Sequence, residues 1–399
     1  MAAHNTSGAR AELAMHWPIL VLAALAVGFG TMGIGFYSLG LFVKPLQAEF
    51  GWSRGAVSGA ATFQQLGIFL SAPLVGRLSD RIGVKAIALT SFVAMPLAML
   101  ALSHTGGSVP QWYGLWLLVS LAGCGTTPAV WARVVLQRFD AARGLALGLM
   151  LVGTGLAAAL APALLGRIFA EHGWRYGAMV MAAASAVVGI PLCLVLPKGK
   201  RSVESGTKAK GRFEGNRAIW LLLVVGILLG VIVAGLIIHL VPMLVDRGMQ
   251  PAAAANVAAS VGLAVIASRV VVGWMFDRFH APYVAAVFLA MPIGSCLLLG
   301  LGGPVVPAAV MLGLAAGAEV DMLAFFTSRY AAMKNYGATY GIILGAFCLG
   351  AAFGPLAVGQ TVDASGNYNL ALILSAVGLV AVVGMVLALG PYRQAVAED

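Results

Sequence analysis

Arg269 is the residue of this sequence with the most to explain. It is the only ionisable group in the apolar run Pro251–Phe276, and a run of that length crosses the hydrocarbon core of a bilayer as a helix. The first residues that must meet water are Asp277 and Arg278, which leaves Arg269 roughly 12 Å inside that boundary. A guanidinium at this depth costs at least about 2.5 kcal/mol on insertion scales, so it must face a wet cavity or a carboxylate rather than lipid. Its planar fork suits bidentate recognition of a carboxylate, and the expected partner is an acid brought in from outside the chain.

Two further residues have chemistry at depth. Glu319 and Asp321, in GAEVDMLAFF, are acids well inside an apolar run. A buried carboxyl beside an arginine can take up or release a proton according to whether the arginine is occupied. Positions i and i+2 point about 200° apart on a helix, so at most one of the two is expected to face a shared cavity, and either is a candidate proton carrier. His239, near the end of Ala218–Val245, has the ring chemistry of a proton-linked gate or of a hydrogen-bonded histidine at the membrane boundary. Arg133 lies five residues before Arg138, near enough to the boundary to snorkel, or placed to make a second anion contact.

The elements that must hold these groups are membrane spans. Of 399 residues, 61% are apolar and 10% charged, against about a quarter charged in soluble domains, so a polytopic membrane protein is predicted. Runs of spanning length occur at 18–43, 55–75, 86–102, 112–136, 144–170 and 174–196, then at 218–245, 251–276, 282–301, 305–328, 340–362 and 370–389. The reading is an all-α membrane protein of twelve helices in two pseudo-symmetric halves, 18–196 and 218–391. A cytoplasmic tail (1–17) precedes them, a basic cytoplasmic linker (197–217) joins them, and a second tail (392–399) follows. No cleaved signal peptide is expected from the polar first residues.

Charge sets the orientation. Of the 24 Lys and Arg residues, Lys44, Arg54, Arg167, Arg175 and Arg247 fall on the side away from the N-terminus and Arg133 and Arg269 within spans, while the others share the N-terminal side. The positive-inside rule then places both termini in the cytoplasm of a cell whose inner (plasma) membrane holds the protein. The net charge of +10 is thereby a matter of topology, and no nucleic-acid partner is expected. Cys124, Cys193, Cys296 and Cys348 lie in apolar runs without pair spacing, so they read as small core residues and not as disulfides or metal ligands.

The halves repeat. Gly76, Asp80 and Arg81 in GRLSDR match Gly273, Asp277 and Arg278 in GWMFDR, and Pro45 in FVKPL matches Pro242 in LVPML, all at an offset of 197 residues. Two halves joined by a basic linker are the layout of carriers that bind solute between the halves. No nucleophile–base pair, metal cluster or phosphate-binding glycine loop marks an enzyme, and no cofactor is implied.

GRLSDRIGVK (76–85) resembles the loop motif between spans two and three of the Major Facilitator Superfamily. LQAEFGWSRGAVS (46–58), RFDAARGLALGL (138–149) and HLVPMLVDRG (239–248), with the eighth-span arginine, resemble its bacterial monocarboxylate and oxalate–formate carriers. The chain departs from the animal carriers in the first span, GFGTMGIGFYS, and at Val265, where those often place Asp or Asn. The resemblance implies a proton symporter of a small organic acid, most simply a monocarboxylate, that works in the bilayer as a monomer by alternating access. A drug or metabolite exporter, an anion exchanger and a transporter-derived sensor are the alternatives. It further implies that Arg269 binds the substrate carboxylate with His239 close by, and that Asp80, Arg81, Asp277 and Arg278 hold the inner gate. Read from the residues themselves, Tyr37, Thr127 and Trp131 are aromatic and polar groups placed to line the cavity.

Overall fold

In a bilayer each backbone polar group must be satisfied within the protein, and helices do this segment by segment. The computed structural model describes residues 2–139, 142–197, 213, 215–332 and 335–390, and every regular element among them is helical. The first half comprises α1 (Ala2–Gly28), α2 (Phe36–Phe50), α3 (Arg54–Ser58), α4 (Ala60–Ile82), α5 (Val84–Leu102), α6 (Val109–Ala122), α7 (Pro128–Leu136) and α8 (Arg143–Val195). The second comprises α9 (Arg217–Asp246), α10 (Pro251–Arg278), α11 (Ala281–Gly300), α12 (Val305–Tyr330), α13 (Tyr336–Ser365) and α14 (Asn369–Leu387). Most of the linker, 198–212 and 214, and residue 391 with the tail 392–399 lie outside the described residues.

The helices resolve into twelve spans. α8 contains two of them, broken at Gly173, whose φ of 83° only glycine adopts readily. α1 begins at Ala2, so helix runs through residues expected to form a tail. The stretch AAHNTSGARAELAM is rich in good helix formers and extends the first span.

The first and fourth spans are interrupted near the same depth, and their breaks meet. The first passes from α1 through one π turn (Thr31–Gly35) into α2, and the fourth passes from α6 through a 3₁₀ turn (Cys124–Thr126) into α7, which opens on Pro128. The Thr31 amide donates to Thr126 Oγ1 at 3.0 Å, the Thr31 hydroxyl donates to the Gly123 carbonyl at 3.2 Å, and Gln64 Nε2 donates to the Thr31 carbonyl at 3.1 Å. Backbone groups freed by the breaks are thus partly satisfied across helices.

The halves touch at the end away from the linker, here called the far end. At Gly166 and Gly262 a side-chain carbon would collide with Ala255 and Ala159 respectively, at Gly155 with Ile266, and at Gly40 with Ile238. Ser58 and Thr62 donate to the carbonyls of Pro355 and Ala352 at 2.9 and 2.7 Å. Two and three turns further toward the linker end, Gly148 on α8, Gly273 on α10 and Gly341 and Gly345 on α13 continue these same faces. There, a side-chain carbon would have no described atom within 4 Å. The halves therefore diverge from the far end to the linker end, and the cleft between them opens toward the linker.

Candidate functional site

The apex of this cleft is where the charged residues gather, and a stripe of small residues explains why. α12 packs on α10 through Gly313 against Val261 and Gly317 against Val265, a close approach that small residues permit. Ser268 Oγ donates to the Leu314 carbonyl at 2.5 Å and fixes the register. One turn on, with the same offset, Asp321 meets Arg269: Nη1 lies 3.2 Å from Oδ1 and 3.4 Å from Oδ2. Ile266, three residues before Arg269, makes the last contact described above between α10 and α8, so the pair stands at the innermost point of the opening.

Arg269 is therefore not vacant, as the sequence alone suggested. Its counter-ion is a protein carboxylate, and the reason is helix register. The pair is loose, however. Charge-assisted bonds of this kind run about 2.7–2.9 Å. Here only one guanidinium nitrogen is engaged, and Nε is buried without a partner among the described residues. Asp321 keeps 37% of its side chain exposed against 12% for Arg269, so water reaches the acid more easily than the base.

Glu319 is buried and its Oε2 has no hydrogen-bond partner among the described residues. It lies within electrostatic range of both Arg269 and Asp321, and Tyr37 on α2 lies within range of Arg269 and Glu319. Tyr37 also lines a cavity of about 20 Å³ on the far-end side, between Pro162, Ile237 and Val261. That is room for about one water. Arg269, Asp321, Glu319 and Tyr37 are thus brought together across both halves.

The other residues singled out in the sequence fall elsewhere. His239 is fully buried, with Nε2 at 2.9 Å from the Pro355 carbonyl and Nδ1 at 3.1 Å from the Tyr368 hydroxyl. A carbonyl can only accept, so Nε2 carries the hydrogen and Nδ1 accepts from Tyr368. Both nitrogens are used by the protein, and in this conformation the ring joins α9 to α13 instead of facing a solute. Trp131 is also fully buried, on a helix that packs against α1 and α8 within the first half, so it does not line the cleft here. Thr127 donates locally to the Cys124 carbonyl at 2.9 Å. Arg133 is partly buried on α7, at the linker end. The side chains of Asp80, Arg81 and Asp277 lie outside the described residues, and Arg278 stacks on Trp274 of its own helix at 4.9 Å.

A second cluster, assigned no role from the sequence, closes the far end. Asp246 of the second half receives Lys44 and, at 2.6 Å, Arg54 Nη2 from the first half. Asp363 accepts from the backbone amides of Arg54 and Gly55 at 3.0 and 2.8 Å, at the N-terminus of α3, where an anion is favoured. Arg54 also lies 5.8 Å over the Tyr368 ring. The motifs at 46–58 and 239–248 contained Arg54 and Asp246, but Lys44 and Asp363 lie outside them, and which charges meet depends on the packing of the two halves.

Two six-helix halves enclosing a charged central cleft define a secondary-transporter architecture. The sequence matches the Major Facilitator Superfamily profile over residues 25–355, and the chain belongs to that family. Human monocarboxylate transporter 11 is 27% identical over 384 residues, covering 89% of this chain and 79% of that protein. The transporter asaE of Aspergillus flavus is 23% identical over 387 residues, covering 90% and 84%. Among solved structures, a mutant of the nucleoside transporter NupG superposes with a TM-score of 0.76 at 11% identity, covering 95% of this chain and all of that one, a likeness of fold. The protein is a multi-pass membrane transporter and not an enzyme.

Proposed function

We propose that the protein carries a small organic acid, most simply a monocarboxylate, across the membrane together with a proton, by alternating access of the central site. The observation that supports this reading is the loosely held Arg269 at the apex of the cleft, with its Nε edge unpartnered among the described residues and a partly exposed counter-ion. In the empty site Arg269 and Asp321 neutralise each other. An arriving carboxylate can take the guanidinium fork and displace Asp321, and the charge at the apex then stays balanced only if Asp321 takes up a proton. One proton per anion follows from this accounting. Glu319, buried and with no partner for Oε2 among the described residues, is the second carboxyl within reach of that proton, and Tyr37 supplies a hydroxyl to the same site.

With the linker end cytoplasmic, as the positive-inside rule favours, this conformation is inward-open, both termini are inside, and the membrane is the plasma membrane. The whole path runs through one chain, so the working unit is a monomer. Rocking of the halves requires the far-end cluster to part and the linker-end faces to meet, where Asp80, Arg81, Asp277 and Arg278 would form the opposing gate.

The test is uptake and counterflow in proteoliposomes. Arg269→Lys keeps the charge and loses the fork, and is expected to cut uptake of a carboxylic acid at least about tenfold with normal membrane insertion. Unchanged transport would remove the substrate site. Asp321→Asn and Glu319→Gln, made singly, are expected to leave counterflow and to abolish accumulation driven by a pH gradient in at least one case. Retention of proton-driven accumulation by both would remove the coupling step.

A further inference from the structure

At the far end of the second half, away from the cleft, lies a groove of about 480 Å³. Met249, Val305 and the glycines Gly300, Gly302 and Gly303 line it over the buried Leu244 and Leu299, with Arg247 and Asn369 at its polar rim. Arg247 is the cation of this groove. Its neighbour Asp246 is committed to Lys44 and Arg54 on the other half, and Arg247 has no hydrogen bond or ion pair to a side chain among the described residues. Partial desolvation lowers its pKa from the ordinary value. A guanidinium in that position offers a fork of N–H donors to an anion. Beside the groove, Leu301 is 85% exposed, as befits a side chain that meets lipid rather than water.

We infer that this groove binds an anionic phospholipid of the far-end leaflet, its phosphate on Arg247 and its ester region and upper acyl chain along the apolar walls. Position and lining favour a lipid over a free anion. The groove lies between span ends of one half only, and its accessible apolar side is formed by the part-exposed Met249 and Val305 over the buried Leu244 and Leu299. A fork of N–H donors matches phosphate oxygens, the Asn369 amide can donate to a lipid carbonyl or hydroxyl, and apolar walls match an acyl chain and not a hydrated ion.

The experiment uses the delipidated full chain in a neutral detergent. Phosphatidylglycerol, phosphatidylcholine of the same chains and inorganic phosphate are added separately, with melting temperature and native mass spectrometry as readouts. Phosphatidylglycerol is expected to raise the melting temperature and to be retained, with phosphatidylcholine and inorganic phosphate much weaker. Arg247→Gln is expected to weaken phosphatidylglycerol binding about tenfold while melting like the parent protein without lipid, because Arg247 holds no side-chain partner among the described residues. Val305→Trp, which fills the groove and leaves the guanidinium, is expected to weaken it as well. Equal binding of both lipids, or undiminished phosphatidylglycerol binding by Arg247→Gln, overturns the assignment. An equal response to inorganic phosphate overturns the lipid and leaves a free-anion site.

Discussion

Asp246→Asn is the most informative change to the far-end cluster. The carboxylate serves two cations at once, and the three side chains are between 18% and 29% exposed, neither fully solvated nor buried. Exposed ion pairs contribute about 0.2–1 kcal/mol, and hydrogen bonds to charged groups about 1.5–3 kcal/mol. An amide of the same shape can still accept one bond, so the loss falls near 1.5 kcal/mol, an approximately tenfold shift of the equilibrium away from the far-end-closed state. Spin labels at the exposed far-end positions His104 and Gln250, one in each half, would report it as a larger population with the far ends apart. The double variant with Arg54→Gln should shift little further, because the two changes remove one shared interaction. A shift of less than twofold in Asp246→Asn, or full additivity with Arg54→Gln, would show that the cluster does not hold the far end closed.

Other outcomes follow from the same packing. His239→Phe removes the link between α9 and α13 and leaves the buried Tyr368 hydroxyl without its acceptor, at about 1–3 kcal/mol; the expected result is a melting temperature lower by several degrees. Loss of substrate binding with unchanged stability would instead assign the ring to the site. Gly317→Ala places a methyl 2.6 Å from the Val265 carbonyl and should destabilise by about 1–3 kcal/mol, separate Arg269 from Asp321 and lower transport. Gly273→Ala, on the open face of the same α10, is its control and should be nearly silent in a thermal melt, with both variants measured in one detergent.

Length of apolar runs, the offset of 197 between the halves and the distribution of Lys and Arg were enough to read twelve spans in two repeats, because the bilayer imposes span length and the family repeats its motifs. A depth of about eight residues was enough to single out Arg269, since a guanidinium so far from water needs a reason. Its partner was not legible. Asp321 is distant in the chain, and only the Gly313 and Gly317 contacts, which set α12 against α10, bring it one turn beyond Val265 to the arginine. His239 carried the same chemistry in any environment; burial and the positions of Pro355 and Tyr368 made it a tie between helices. The far-end cluster is the same case, with four charges drawn from both halves, whose pairing depends on how those halves meet. Composition and spacing report what a segment needs from a solvent, and only the fold determines which distant segment meets that need.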